Sequence, residues 1–158
     1  MNVEAAIQAL VDAGVEFVII GGWSAILNGS AYITNDLDIC YARNPQNLRS
    51  IAQALAPYHP RLSDLPAGLP FVWDAATLRN GTVCTLNTDL GKVDLLAEVA
   101  GLGTYEEMTV GSVATEAFGR QVQILNIESL IKANRAAGTV KDLLILPELE
   151  SLLEAQEP

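Results

Sequence analysis

The sequence predicts a two-layer α/β domain, and three features of its first half carry that prediction. Residues 17–20 form a short apolar run rich in β-formers, typical of a buried strand, and two glycines end it. Residues 2–13 and 45–55 repeat apolar side chains at helical spacing. Residues 36–39 alternate acidic and apolar side chains, as a strand with one buried face does. Alternating helices and strands of this kind bury their apolar sides against each other as layers.

Turn and cap residues separate the elements of the first half. Gly14 ends the first helix, Asn28-Gly29 suits the end of a second, and Pro57 stops a third. The predicted elements are, in chain order, a helix at 2–13, a strand at 17–20, a short helix at 24–27, a strand at 36–39 and a helix from 45 to about 55.

The second half begins with a proline-rich stretch that has no clear periodicity. Residues 57–81 predict a long surface loop with a short helix at 75–78, and loops of this length often border a substrate pocket. His59 lies in this loop, and an exposed loop residue is favoured over a catalytic base. The remaining predicted elements are a hairpin at 82–96, strands at 110–114 and 121–125, a helix at about 126–138, and a helix from 140 that bends or breaks before Pro147.

Composition limits the kind of protein this can be. The 158 residues suit one domain, with a sheet core over about 1–125 and C-terminal helices over about 126–158. A formal net charge of −10 disfavours general attraction to nucleic acid. No apolar run reaches the length of a membrane span, and the N-terminus lacks the basic region of a signal peptide, so we expect a cytoplasmic protein without membrane contact. The two cysteines read as reduced core thiols.

The most informative stretch pairs a glycine turn with two carboxylates. Because strand side chains alternate, Asp36 and Asp38 share one face, with Cα atoms roughly 6.6 Å apart. Carboxylate oxygens of this kind suit Mg²⁺ or Mn²⁺, with substrate phosphates completing the coordination. Gly21-Gly22 would expose backbone N–H groups at a helix start, which suits a phosphate. The sequence thus predicts a phosphate cradle beside a divalent-metal site.

These residues carry a resemblance to a known family. Gly21-Gly22, followed after thirteen residues by Asp36-x-Asp38, resembles the signature of the polymerase β superfamily of nucleotidyltransferases. Thr34, the GKVDLL segment and the KDL segment resemble the minimal bacterial nucleotidyltransferase-like proteins that include AbiE-type toxins. The resemblance implies a mixed sheet with helices packed on one face and further C-terminal helices. It also implies transfer of a nucleoside monophosphate from an NTP to an acceptor hydroxyl.

The resemblance assigns further site residues. Asp94 would complete a catalytic, metal-binding triad with Asp36 and Asp38, although an edge-strand aspartate facing water is the alternative. Gly21, Gly22, Ser24 and Lys141 would contact the nucleotide. For Lys141, a solvent-exposed charge on the helix surface is an equal alternative to a nucleotide contact. For Lys132 and Arg135, the solvent-exposed helix charge is the favoured interpretation.

The sequence also departs from the family pattern in its cations. Tyr32, Asn134 and Thr139 stand where relatives carry basic residues, and Arg43 or Lys92 could compensate. Phosphoryl transfer depends on neutralising phosphate charge, so a nucleotide-binding or regulatory module without turnover stays open beside the enzyme. A plain acidic interaction domain is the third alternative. The acceptor could be a protein, a tRNA or a small molecule, and an antitoxin partner or a homodimer is compatible with the sequence.

Overall fold

Helices and strands alternate through the first half of the chain in the computed structural model, which describes residues 1–157. They are, in chain order, α1 (Val3–Asp12), β1 (Phe17–Ile20), α2 (Gly21–Leu27), β2 (Asp36–Tyr41) and α3 (Pro45–Leu55). Asn2 caps α1 and Asn44 caps α3 by accepting hydrogen bonds from backbone N–H groups of the first turn. These elements confirm the predicted order.

The second half adds strands on both sides of this unit and then three helices. They are β3 (Arg61–Leu62), α4 (Ala75–Arg79), β4 (Val83–Thr88), β5 (Gly91–Leu96), β6 (Glu98–Val99), β7 (Gly103–Thr104), α5 (Tyr105–Met108), β8 (Ser112–Ala117), β9 (Arg120–Leu125), α6 (Ile127–Ala137), α7 (Val140–Leu144) and α8 (Leu146–Gln156). The predicted break before Pro147 is confirmed, because α7 ends at Leu144 and α8 begins at Leu146.

A seven-stranded mixed sheet lies at the centre of the fold, in the order β3-β4-β5-β2-β1-β9-β8. β2 pairs parallel with β5 and β1 pairs parallel with β9, whereas β1 and β2 are antiparallel. β6 and β7 form a separate two-stranded sheet. β2, which carries Asp36 and Asp38, therefore lies between β1, which leads directly into α2, and β5, which carries Asp94.

Apolar side chains of β1 and β2 point alternately into two cores. On one face, Ile19, Leu37 and Ile39 pack with α1 and α3. On the other face, Val18 and Cys40 pack with residues of α2, α6 and α8. The C-terminal helices therefore cover the face that carries the acidic residues, because the side chains of Asp36 and Asp38 alternate with Leu37 and Ile39.

Three boundaries differ from the sequence prediction. The helix after β1 begins at Gly21 itself, with no intervening turn. The proline-rich loop contains β3, which extends the sheet through pairing with β4. The strand predicted at 110–114 runs from Ser112 to Ala117, because the turn that joins it to β9 is the short one at Phe118-Gly119, where both residues have positive φ. Within residues 1–157, no helix is long and apolar enough to cross a membrane.

Candidate active site

Strand register brings two carboxylates side by side. The parallel pairing of β2 with β5 sets Asp38 opposite Asp94 and Asp36 opposite Lys92. The Oδ1 atoms of Asp38 and Asp94 are both buried and have no hydrogen-bond partner within residues 1–157. Unpaired buried carboxylate oxygens are unfavourable unless a proton or cation satisfies them. This pair is therefore suited to binding a cation.

The ionisation of Asp38 reflects this crowding. Burial, the neighbouring Asp94 and the Asp36 charge together raise the pKa of Asp38 to about 7, with burial the largest cause, while Lys141 acts in the opposite direction. Two carboxylates this close are unfavourable when both are charged. A divalent cation would remove the repulsion that a proton relieves in the free protein.

Gly21 and Gly22 both lie too close to neighbouring residues to carry a side chain. Gly21 has φ of +62°, a left-handed conformation that favours glycine, and a Cβ there would collide with Oδ2 of Asp38. A Cβ on Gly22 would lie 2.8 Å from Cε1 of Tyr32 and 2.9 Å from Cβ of Thr34. The start of α2 therefore lies directly against the acidic strand and the segment that leads into it.

A small polar cavity occupies the space between these elements. Its volume is about 120 Å³, well above the roughly 10–15 Å³ that one water needs, so it has room for a phosphate-sized group. Tyr32 and Thr34, from the segment before β2, and Asp36 and Asp38 of β2 line it. The other lining residues are Gly21, Gly22, Ala25, Leu130, Asn134, Lys141, Asp142 and Ile145. Sequence reasoning missed the contribution of Thr34 and Tyr32 to this lining.

Lys141 is the basic residue among those that line the cavity. Its Nζ lies 5.7 Å from the centroid of the Tyr32 ring. The Tyr32 hydroxyl raises the pKa of Lys141 most, and the Asp36 and Asp38 carboxylates add to the effect. Lys92, on β5, has its Nζ 3.9 Å from Oδ2 of Asp36.

Other residues considered from the sequence have different positions. Ser24 is fully buried, and its hydroxyl accepts a hydrogen bond from the Leu125 N–H and donates to the Leu125 carbonyl, so we leave Ser24 out of the phosphate contacts. Arg43 donates to Tyr41 and to the Gly81 carbonyl and does not line the cavity. Arg135 pairs with an exposed glutamate of α8.

The proline-rich loop does not line the cavity, and two residues at the start of α7 cap that helix. None of the residues 57–81 lines the cavity, and His59 is exposed and contacts Asp89, with 2.6 Å between Nδ1 and Oδ2. Asp142 accepts hydrogen bonds from the backbone N–H and hydroxyl of Thr139 and so caps its own helix, α7. Thr139 thus acts as a helix cap at a place where the family pattern has a cation.

The carboxylates fit a divalent metal ion in part. Asp38 and Asp94 supply oxygens that lack any other partner, and Asp36 lines the cavity two residues along the same strand. Within residues 1–157, no three His, Cys, Asp or Glu side chains form a ready-made metal cluster. A Mg²⁺ ion usually keeps several waters and binds through one or two carboxylates with substrate phosphates, so the pair satisfies its usual requirement.

Comparison with solved structures identifies the fold. A protein from Thermotoga maritima, described as a candidate nucleotidyltransferase, aligns with a TM-score of 0.53 and 15% identity over 95% of this chain and 91% of its own. The lincosamide antibiotic adenylyltransferase LnuA, with lincomycin bound, aligns with a TM-score of 0.58 and 16% identity over 92% of each chain. The chain therefore has the nucleotidyltransferase fold. At these identities the likeness concerns the fold alone. No protein-family model matches the sequence, and no curated protein matches it significantly.

Proposed function

We propose that the protein is a metal-dependent nucleotidyltransferase that moves a nucleoside monophosphate from an NTP to an acceptor hydroxyl. The observation that carries this proposal is the register of β2 with β5, which sets two buried, unpartnered carboxylate oxygens side by side near the glycines that begin α2. The nucleotidyltransferase fold of the neighbouring structures supports it.

Each residue of the site has a role in the proposed reaction. Asp36, Asp38 and Asp94 would hold Mg²⁺ or Mn²⁺, which when bound would neutralise phosphate charge and lower the pKa of the acceptor hydroxyl. Backbone N–H groups near Gly21 and Gly22, together with Lys141, would bind the phosphates in the polar cavity.

A second candidate function is a nucleotide-binding or regulatory module that does not turn over. Its supporting observation is the cavity lining, in which Tyr32 and Asn134 occupy places where the resembled family has cations. Neutralising a triphosphate would then rest on Lys141 and the metal. Nucleotide binding without release of pyrophosphate would favour this candidate.

The acceptor is best sought first among small alcohols. LnuA, whose fold this chain shares, is an adenylyltransferase with lincomycin bound, and the net charge of −10 disfavours tRNA as an acceptor. The proposal also includes protein and tRNA as other possible acceptors. It further includes a role as the toxin of an AbiE-type pair with an antitoxin partner, a homodimer and a cytoplasmic location.

Ligand-induced stabilisation tests the proposed nucleotide site. We expect an NTP with Mn²⁺, at about a hundred times its dissociation constant, to stabilise the protein by roughly 2.7 kcal/mol. Asp38→Asn should abolish that stabilisation. Asp64→Asn, which neutralises an exposed carboxylate outside the cavity, is the matched control and should respond like the wild type.

Turnover is then measured as pyrophosphate release in the presence of small-alcohol, tRNA and protein acceptors. Acceptor-dependent release that is lost in Asp38→Asn supports the enzyme. Stabilisation without release from any acceptor would support the regulatory module, and no stabilisation by any of the four NTPs would refute both.

A further inference from the structure

Lys141 occupies a position in which two attractions compete for its ammonium group. The Asp36 and Asp38 carboxylates are near enough to raise its pKa, so both attract the ammonium. Yet Lys141 takes part in none of the ion pairs formed within residues 1–157. Its ammonium is instead over the Tyr32 ring, 5.7 Å from the centroid. The Tyr32 ring is thus a direct contact of this ammonium in the structure.

The position of Tyr32 is itself fixed from two sides. Its ring lies against Gly22, where even one added carbon would come within 2.8 Å of Cε1. Its backbone N–H donates to Oγ of Ser30 at 2.9 Å, and the Ser30 hydroxyl donates to Glu148 of α8. The loop before β2 is therefore tied to the last helix, and the ring has little freedom to follow the lysine.

We propose that Tyr32 is a positioning residue that holds the Lys141 ammonium in the phosphate-binding part of the cavity and away from the acidic residues. This inference rests on the proposed function, since it assigns a partner to the cation that would bind the triphosphate. An aromatic ring attracts a cation without carrying a charge of its own. It can therefore hold the ammonium in place and still leave it free to pair with a phosphate.

The rival explanation is a direct contact between Tyr32 and the nucleoside. Tyr32, Lys141 and Ile145 also border a larger, mainly apolar cavity of about 590 Å³, where a ligand could touch the ring. A ligand without a base separates the two explanations. Inorganic tripolyphosphate with Mg²⁺ reports on phosphate recognition alone, so a loss of its affinity cannot come from a missing contact with a base.

A double-mutant cycle tests whether Tyr32 acts through Lys141. The variants are Tyr32→Leu, Lys141→Met and the combination of both, and calorimetry measures the dissociation constant of tripolyphosphate with Mg²⁺. We expect each single change to weaken binding about fivefold, the scale of one cation–π contact, and the combination to be no weaker than Lys141→Met alone. Tyr32→Phe keeps the ring and removes the hydroxyl, which also acts on Lys141, so a loss of about twofold or less supports the ring contact and a loss as large as that of Tyr32→Leu overturns it.

The outcomes separate this inference from the proposed function. Losses that multiply in the double variant, or a Tyr32→Leu variant that binds tripolyphosphate like the wild type while losing NTP affinity, would overturn the positioning role. Failure of the wild type to bind tripolyphosphate at all would also overturn it. Coupled losses in a protein that releases no pyrophosphate would support the positioning role and refute the transferase.

Discussion

Replacing Asp38 by asparagine should stabilise the free protein while removing its ligand site. The pKa of Asp38 is raised from 3.8 to about 7, chiefly by burial, so the folded state keeps a proton that the unfolded state loses. Stability from this group is therefore highest below pH 4, falls as the pH rises towards 7, and is constant above it. The two values differ by about three pH units, which corresponds to at most about 4 kcal/mol. Asparagine carries no charge and avoids this loss.

Urea unfolding at pH 5.5 and pH 8, with EDTA present, measures the effect. From pH 5.5 to 7 the wild type should lose up to about 2 kcal/mol through Asp38, at 1.36 kcal/mol per pH unit. The advantage of Asp38→Asn over the wild type should therefore grow by about 1–2 kcal/mol between the two pH values. Asp64→Asn should show no such growth. An advantage that is independent of pH, or an Asp38→Asn variant that is less stable at pH 8, would refute the reasoning.

Three further changes probe the surroundings of the site. Gly21→Ala should lower the free energy of unfolding by about 1–3 kcal/mol, through positive φ and a collision with Asp38, and abolish Mn²⁺-dependent stabilisation by NTP. Ser24→Ala should lower it by about 1–3 kcal/mol, because the buried Leu125 N–H loses its acceptor, yet keep the nucleotide dissociation constant within about twofold when measured by calorimetry. Burial raises the pKa of Cys40 to about 12 and of Cys84 to about 11, so both thiols should react with a thiol reagent at pH 8 only as fast as the protein opens. Rapid labelling of the native protein would contradict this burial.

Local patterns were sufficient to predict the acidic strand. The alternation of Asp36 and Asp38 with two apolar residues indicates which face is buried, and the structure confirms that Leu37 and Ile39 are fully buried. The hairpin that carries Asp94 was also readable, since turn residues separate two β-forming runs. That the two strands are neighbours came from the resemblance to a known family, because periodicity does not specify which strands pair.

Contacts between residues far apart in the chain could not be read in the same way. Ser24 looked available for a phosphate because it follows two glycines, but it is bonded to the backbone of Leu125, 101 residues later. Tyr32 looked like the loss of a cation, and its contact with Lys141 depends on how α7 packs beside the loop before β2. Side-chain roles of this kind follow from tertiary packing, which a hydrophobic pattern leaves open.

The charge balance of the cavity favours the binding of a cation. Asp36 faces Lys92 at 3.9 Å, and the Lys141 ammonium is over an uncharged ring, so neither lysine pairs with the buried oxygens of Asp38 and Asp94. A triphosphate would bring several negative charges into a cavity of about 120 Å³ that is already lined by Asp36 and Asp38. At such separations in a partly buried site, each unscreened pair of like charges repels by several kcal/mol. Nucleotide binding should therefore depend steeply on divalent metal, and metal binding should displace the proton that Asp38 holds near pH 7.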